Sequence, residues 1–266
     1  MKKSPRHLWL LILGLLSLGF YFAQPLALKG SDIVYNYYTY LPITRTQPPL
    51  PPALTDLLKN PGFEGITTPG GYTHDTFNGT PYNEILTPEG WISWWVEEPD
   101  PWYGLSRPEV RPIPNQPPYS DPPNRIHSGD YAAMHFTVWK PQRAGFYQQI
   151  SSLPPNSLAT FSAYAHSWSC NNDPPPALTC GDPNGFWFKV GIDPQGGTDP
   201  QAASVIWSDP FYYRDTYGKA GPLQTWVGDS GTITVFLSGE AKWGVKHNDA
   251  YWDDASLIVQ PPRVEP

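Results

Sequence analysis

The chain reads as an all-β protein, a sandwich or barrel of short strands, on three observations. Several runs alternate apolar and polar residues with period two, no amphipathic helix longer than two turns stands out after residue 56, and the thirty-four prolines fall between strand-like runs. Alternation of that period puts successive side chains on opposite faces of a sheet. Proline, lacking an N–H, belongs at sheet edges, bulges and loops. Twelve tryptophans in 266 residues set this composition apart from proline-rich disorder, which has too little apolar surface to bury.

The N-terminal segment lies outside this pattern. Lys2, Lys3 and Arg6 precede an apolar run from Leu8 to Ala23, the charge-then-hydrophobic order of an export signal. The run falls just short of the roughly 20 residues that span a bilayer comfortably, although Pro25-Leu26-Ala27-Leu28 extends it. Residues 1–30 are therefore an N-terminal hydrophobic helix, either a cleaved signal peptide or an uncleaved signal anchor. Either version places the rest of the chain outside the cytoplasm, secreted or at the cell surface. Residues 31–55 form a Tyr- and Pro-rich linker whose Pro48-Pro49-Leu50-Pro51-Pro52 has the character of a semi-rigid spacer. Residues 56–260 carry the β domain and 261–266 a short tail.

Within the domain, alternation assigns the strands in turn. Tyr131 to Val138 sets Ala132, Met134, Phe136 and Val138 on one side, with Tyr131, Ala133, His135 and Thr137 facing away from the core. Phe161 to Trp168 turns Phe161, Ala163 and Ala165 inward and Ser162, Tyr164, His166 and Trp168 outward. Phe186 to Asp193 buries Phe186, Phe188, Val190 and Ile192 and turns out Trp187, Lys189 and Gly191; Thr232 to Leu237 buries Ile233, Val235 and Leu237. Two proline-rich stretches, 97–124 and 169–185, read as long loops that are either functional or covers for a sheet edge. The second holds the two cysteines of the chain, Cys170 and Cys180. In an oxidising compartment two thiols flanking one turn-rich loop form a disulfide. A zinc site, the rival account, needs two further ligands, and only His166 is near in sequence.

Five short motifs occur in order: Asn60-Pro61-Gly62-Phe63-Glu64-Gly65, then Trp91, then His127-Ser128-Gly129-Asp130-Tyr131-Ala132, then Ala144-Gly145-Phe146-Tyr147-Gln148-Gln149-Ile150, and finally Tyr251-Trp252-Asp253-Asp254-Ala255-Ser256-Leu257. Through them the region from about residue 56 to 260 resembles the carbohydrate-binding jelly-roll modules of the galactose-binding-like superfamily, of the cellulose- or xylan-binding type. The resemblance implies a jelly-roll β-sandwich with the first and last motifs as its opening and closing strands. It also implies a structural Ca²⁺ between those strands, with Glu64 and Asp253 as ligands. Ca²⁺ takes six to eight hard oxygens, which carboxylates and backbone carbonyls supply. Asp253 shares the parity of Ala255 and Leu257, which face the core, so its carboxylate needs either a cation or backbone amides.

The implied ligand is a glycan. Sugars stack apolar C–H faces on aromatic rings while their hydroxyls seek amides, carboxylates and imidazoles. The residues opposite the core supply that mixture: His135, Tyr147, Gln149, Tyr164, His166, Trp168, Trp187 and Lys189. The competing expectation is that they form a second core under the proline-rich loops.

Other functions find less support. A net charge of −7 argues against nucleic acid, whose phosphates need a basic stripe. Gly228-Asp229-Ser230-Gly231 matches a serine-protease tetrapeptide, but no histidine stands in the matching context. Asp193-Pro194-Gln195-Gly196-Gly197-Thr198-Asp199-Pro200 lacks the Gly-Lys-Ser/Thr ending of a phosphate loop and reads as a turn. Glycoside hydrolysis needs two carboxylates across a cleft, and sequence alone does not pair Glu97, Glu98, Asp100, Glu240 or Asp249. The expectation is an extracellular carbohydrate-binding protein without catalysis. The alternative is a cell-surface structural or adhesive sandwich that binds another protein, and after that a glycoside hydrolase or lyase.

Overall fold

The computed structural model describes residues 54–65, 73–77, 80–100, 102–172, 178–182 and 184–262. The export segment, nearly all of the linker and the end of the tail lie outside the described residues. Among the described residues twelve strands form two sheets. The seven-stranded sheet runs in the order β1 (Thr73–Phe77), β2 (Thr80–Thr87), β4 (Glu109–Pro114), β5 (Tyr131–Thr137), β12 (His247–Gln260), β7 (Leu158–Cys170) and β10 (Gly218–Trp226). The five-stranded sheet runs β3 (Ile92–Trp95), β6 (Gln142–Ile150), β11 (Ile233–Ala241), β8 (Phe186–Asp193) and β9 (Ile206–Trp207). Pairing is antiparallel except between β2 and β4. The result is a jelly-roll β-sandwich.

The space between the sheets is filled as alternation predicts for three strands. Phe161, Ala163 and Ala165 of β7, Phe188, Val190 and Ile192 of β8, and Ile233, Val235 and Leu237 of β11 all belong to one buried cluster. Trp252 of β12 sits among them, fully buried, and meets Phe188 edge to face at 5.0 Å.

On β5 the expectation is reversed. Ala133 lies in the inter-sheet core, whereas Ala132 and Met134 belong to a second cluster on the outer face of the seven-stranded sheet. His135 is accordingly a core residue with no exposed surface. Its Nε2 lies 3.2 Å from the indole Nε1 of Trp252, which can only donate, so Nε2 accepts and Nδ1 carries the proton toward the Gln142 carbonyl at 2.8 Å. Burial pushes the His135 pKa down to about 4, consistent with that neutral tautomer. Both faces of this sheet are covered, so an apolar side chain does not mark which face is inward.

A second correction concerns β12. Between Asp253 and Ser256 its register against β7 slips, and Asp254 adopts φ 42°. One extra residue in a strand reverses the parity beyond it. Thus Ala250 and Trp252 point into the core before the bulge, and Ala255 and Leu257 after it. Asp253 faces away from the sheet interface, opposite to the side expected, yet remains fully buried.

The stretch expected as one long loop over 97–124 contains β4. Pro112 and Pro114 hid it, but β4 pairs fully with β5 while touching β2 through the single pair Ile85–Val110, so the missing N–H groups are tolerated on that side. The opening motif is a turn rather than a strand. Asn60, Phe63 and Gly65 have positive φ, and the segment is stitched to β12 by Leu57 N–H to Leu257 O (3.0 Å) and Ala255 N–H to Pro61 O (2.8 Å). Phe63 plugs the end of the core, stacked on Trp91 at 5.1 Å.

Residues 115–126 cross the outer face of the seven-stranded sheet, and Cys170 is bonded to Cys180 at its margin. Beneath them lie Ile113, Met134, Trp168 and Tyr251, with Ile126 of the crossing segment packed into the same cluster. The Arg125 guanidinium sits over the Trp168 ring at 5.0 Å and over Tyr251 at 5.8 Å. His166 is fully buried there against Tyr217 and Tyr251, and neither of its ring nitrogens has a hydrogen-bond partner among the described residues. Burial, reinforced by the Arg125 charge, pushes its pKa down to about 3.

A histidine with a lowered folded pKa contributes stability that is present above its unfolded value near 6.5 and lost as pH falls through the folded value. His166→Phe keeps the ring contacts and removes both orphan nitrogens, each of which costs about 1–3 kcal/mol if unsatisfied. Urea denaturation should show the variant at least as stable as the parent at pH 7. Its margin should widen steadily from pH 6.5 to pH 4.

Candidate functional site

The outer face of the five-stranded sheet carries a partly open groove: its central strand β11 is buried along its whole length, and Trp94 and Phe236 pack with Val205, Ala202 and Trp207 as a small cluster of their own. The side chains of this face follow from strand register as three rows. Arg143 of β6, Glu240 of β11 and Trp187 of β8 lie abreast in the first row. Two residues on come Trp94 of β3, then Gly145, Ser238 and Lys189. The third row is Tyr147, Phe236, Gly191 and Trp207 of β9. Neighbouring strands are about 4.8 Å apart and residues i and i+2 about 6.7 Å. Gly145 and Ser238 in the middle row therefore leave a trough between larger side chains.

That trough is a groove of about 390 Å³ lined by Trp94, Trp207, Arg143, Lys189, Ser238, Glu240 and the 200–202 turn, within the range of small-ligand sites. Aromatic contacts pave it: Trp94 to Trp207 at 6.3 Å, Trp207 to Phe236 at 5.9 Å and Tyr147 to Phe236 at 5.7 Å. Trp94 is fixed by its indole N–H, which points at the Leu237 carbonyl at 3.1 Å. Trp207 lies flat on β8 because Gly191 has no side chain. A Cβ there would stand 2.8 Å from the indole ring. The polar end is a charge triad. Arg143 Nε donates to Glu240 Oε2 at 3.0 Å, and Lys189 Nζ is 3.4 Å from Glu240 Oε1, which also accepts from the Ser238 hydroxyl.

The expected ligand residues divide between two surfaces. Lys189 lines the groove and Tyr147, Trp187 and Gln149 share its sheet face, with the Gln149 amide donating to Gly196 O. Tyr164, His166 and Trp168 lie on the outer face of the other sheet. His166 and Trp168 are covered by the 115–126 segment, and Tyr164 is stacked on His127 at 3.8 Å. His135 is between the sheets. The single platform expected from these residues is therefore corrected: the second-core reading holds for His166 and Trp168, while His135 belongs to the inter-sheet core and Tyr164 stays half-buried. Trp94 and Trp207, which the ligand set omitted, carry the groove.

The expected metal ligands, Glu64 and Asp253, bind the same 127–131 loop at different amides. Asp253 accepts backbone N–H groups from His127 (2.9 Å), Ser128 (3.1 Å) and Asp254 (2.8 Å). Glu64 accepts those of Asp130 and Tyr131 at 3.1 Å. Gly129, at φ 67°, is obligatory between them, since a Cβ would collide with the Glu64 carboxylate. Burial pushes Asp253 up to about 7, and the charge of Asp254 adds to this. Burial likewise raises Glu64, with Asp130 and Asp254 pushing the same way. Hard, partly desolvated, mutually repelling carboxylates are donors that suit a hard cation. Among the described residues no group of three or more His, Cys, Asp or Glu is arranged around an ion position, so further ligands would be carbonyls or water.

The other acids do not share the groove. Asp100 and Glu98 accept amide hydrogens within the 98–105 turn, and Asp249 accepts from the Tyr251 hydroxyl at 2.8 Å. Ser230 closes a turn, its hydroxyl on Thr232 O.

No protein-family model matches the chain, and no curated protein sequence matches it. Among solved structures the chain is similar to the module TmCBM61 in complex with β-1,4-galactotriose (15% identity over 76% of this chain and 97% of that one, TM-score 0.44). It is also similar to the cyclase Fisc from Fischerella sp. TAU bound to an indole compound (15% identity, 79% and 99%, TM-score 0.48). A third likeness is to the CBM22-1 xylan-binding domain from Paenibacillus barcinonensis Xyn10C (11% identity, 66% and 88%, TM-score 0.38).

Burial separates Trp207, which is half-buried, from Trp168 and Trp94, each 7% exposed. Trp168→Ala should cost about 3–5 kcal/mol of unfolding free energy, the range for emptying a buried aromatic site. Trp207→Ala should cost no more than about 1–2 kcal/mol, both read by chemical denaturation.

Proposed function

We propose that the protein binds polysaccharide in the groove on the five-stranded sheet and performs no chemistry there. The observation that carries this reading is the combination of indole rings with a cluster of charged and hydroxyl groups along one open trough. Rings stack on sugar C–H faces while the polar end addresses hydroxyls. Among the described residues lining the groove Glu240 is the single carboxylate, whereas hydrolysis of a glycosidic bond takes two. The Cys170–Cys180 disulfide supports an extracellular or cell-surface location, since such bonds persist in oxidising compartments.

The structural Ca²⁺ is proposed at Glu64 and Asp253, which would hold it. When bound, it would supply positive charge between the turn that opens the domain and the strand that closes it. The mutual repulsion of carboxylates at the bulge supports the reading.

A glycan array on the chain should retain polysaccharide. Trp207→Ala should weaken binding by about 1–3 kcal/mol, the size of a hot-spot contact, with the fold intact. Binding to no glycan, together with capture of a protein partner on this face, would favour the adhesive alternative.

Chelation should lower the melting temperature. A site occupied at a hundredfold excess over its dissociation constant contributes about 2.7 kcal/mol. Glu64→Gln and Asp253→Asn should lose that sensitivity. An unchanged melting temperature after exhaustive chelation leaves a latch made of amide hydrogen bonds alone.

A further inference from the structure

We infer that the glycan taken by the groove is anionic, carrying carboxylate or sulfate groups; this rests on the carbohydrate reading and narrows its ligand. Glu240 sits at the polar end of the groove. Its side chain is 7% exposed and lies between two cations, Arg143 with 45% and Lys189 with 29% of their side chains exposed. One oxygen of Glu240 is taken by Arg143 and the other by Lys189 and the Ser238 hydroxyl. The carboxylate is thus spent inside the protein, and it cancels only one of the two positive charges.

Among the described residues lining the groove no other acid balances the second. One unit of positive charge therefore faces the trough, on the two most exposed arms of the triad. Register places Arg143 and Lys189 on the strands either side of Glu240, so an anionic substituent above the carboxylate position meets both. The net charge of −7 on the whole chain does not forbid this. Charges beyond about 8–10 Å are screened at physiological salt, and the nearest charges decide. A neutral sugar accepts hydrogen bonds from Arg143 or Lys189 through its hydroxyl oxygens, but it brings no charge to balance the cation. A uronate or sulfate ester gains a charge-assisted hydrogen bond.

The test is calorimetry on the full chain with three probes: neutral β-1,4-galactan, polygalacturonate and a sulfated galactan. One of the anionic polymers should bind at least ~10-fold more tightly than the neutral one at low salt, the equivalent of one charge-assisted hydrogen bond. Half-molar salt should erase most of the difference. Arg143→Gln and Lys189→Gln should each shrink the anionic-to-neutral ratio, while Glu240→Gln, which removes the internal counter-charge, should enlarge it. Preference for polygalacturonate assigns the anion as carboxylate, and preference for the sulfated polymer assigns it as sulfate. Equal affinity for neutral and anionic polymers, with a ratio unmoved by these variants, overturns the inference and leaves the carbohydrate site standing. If all three probes fail to bind, the carbohydrate reading falls with it.

Discussion

The one-residue bulge in β12 is the constraint on which the architecture turns. β12 lies between β5 and β7 in the seven-stranded sheet and contributes Trp252 before the bulge and Leu257 after it, both to the same core. Strict alternation would drive one of the two out of the interior. The extra residue at Asp254 lets both stay, and it turns Asp253 outward onto the amides of His127 and Ser128. The loop that leads into β5 is thereby held against the closing strand, and Glu64 of the opening turn seizes the same loop from its other side.

The two outer faces of the sandwich have different fates. The seven-stranded sheet is roofed by residues 115–126, and its aromatic residues pack as a second core around Arg125. The five-stranded sheet is covered only in part, by Ala202, Val205 and Trp207 over Trp94 and Phe236, and beside that cover a groove stays accessible between Arg143, Lys189 and Trp207. A roof costs the protein a binding face and gains it burial. An accessible groove does the reverse. The stacking residues that sequence offers on both sheets therefore serve two different ends.

Legibility in the sequence followed from how distinct the two faces of each strand were. β7, β8 and β11 carry apolar residues at every second position with polar or mixed residues between, and their inward sides were readable. β5 has Ala132, Ala133 and Met134 in succession, apolar on both faces because both are covered, and its parity was not. β4 was concealed by Pro112 and Pro114. The calcium candidates Glu64 and Asp253 both fasten the 127–131 loop through its amides, and the bulge reversed the facing of the aspartate. The groove was the hardest to see. Its walls, Trp94 and Trp207, come from opposite edges of a sheet, and its floor is made by glycine and serine, which announce nothing in a linear reading. Register alone puts them in one place.

The stitching of the opening turn has a mechanical side. Tension arriving along the chain from before residue 54 enters the domain through Leu57, Lys59 and Asn60. Leu57 is fastened to Leu257, Lys59 to the Gln148 side chain through both its N–H and its carbonyl, and the Asn60 carbonyl to the Trp91 indole. Such a load is divided at once between the closing strand of one sheet and β6 of the other. Because β6 is itself a groove strand, a pull along the chain reaches the groove sheet directly, but only as a share of the load, the rest being taken by β12.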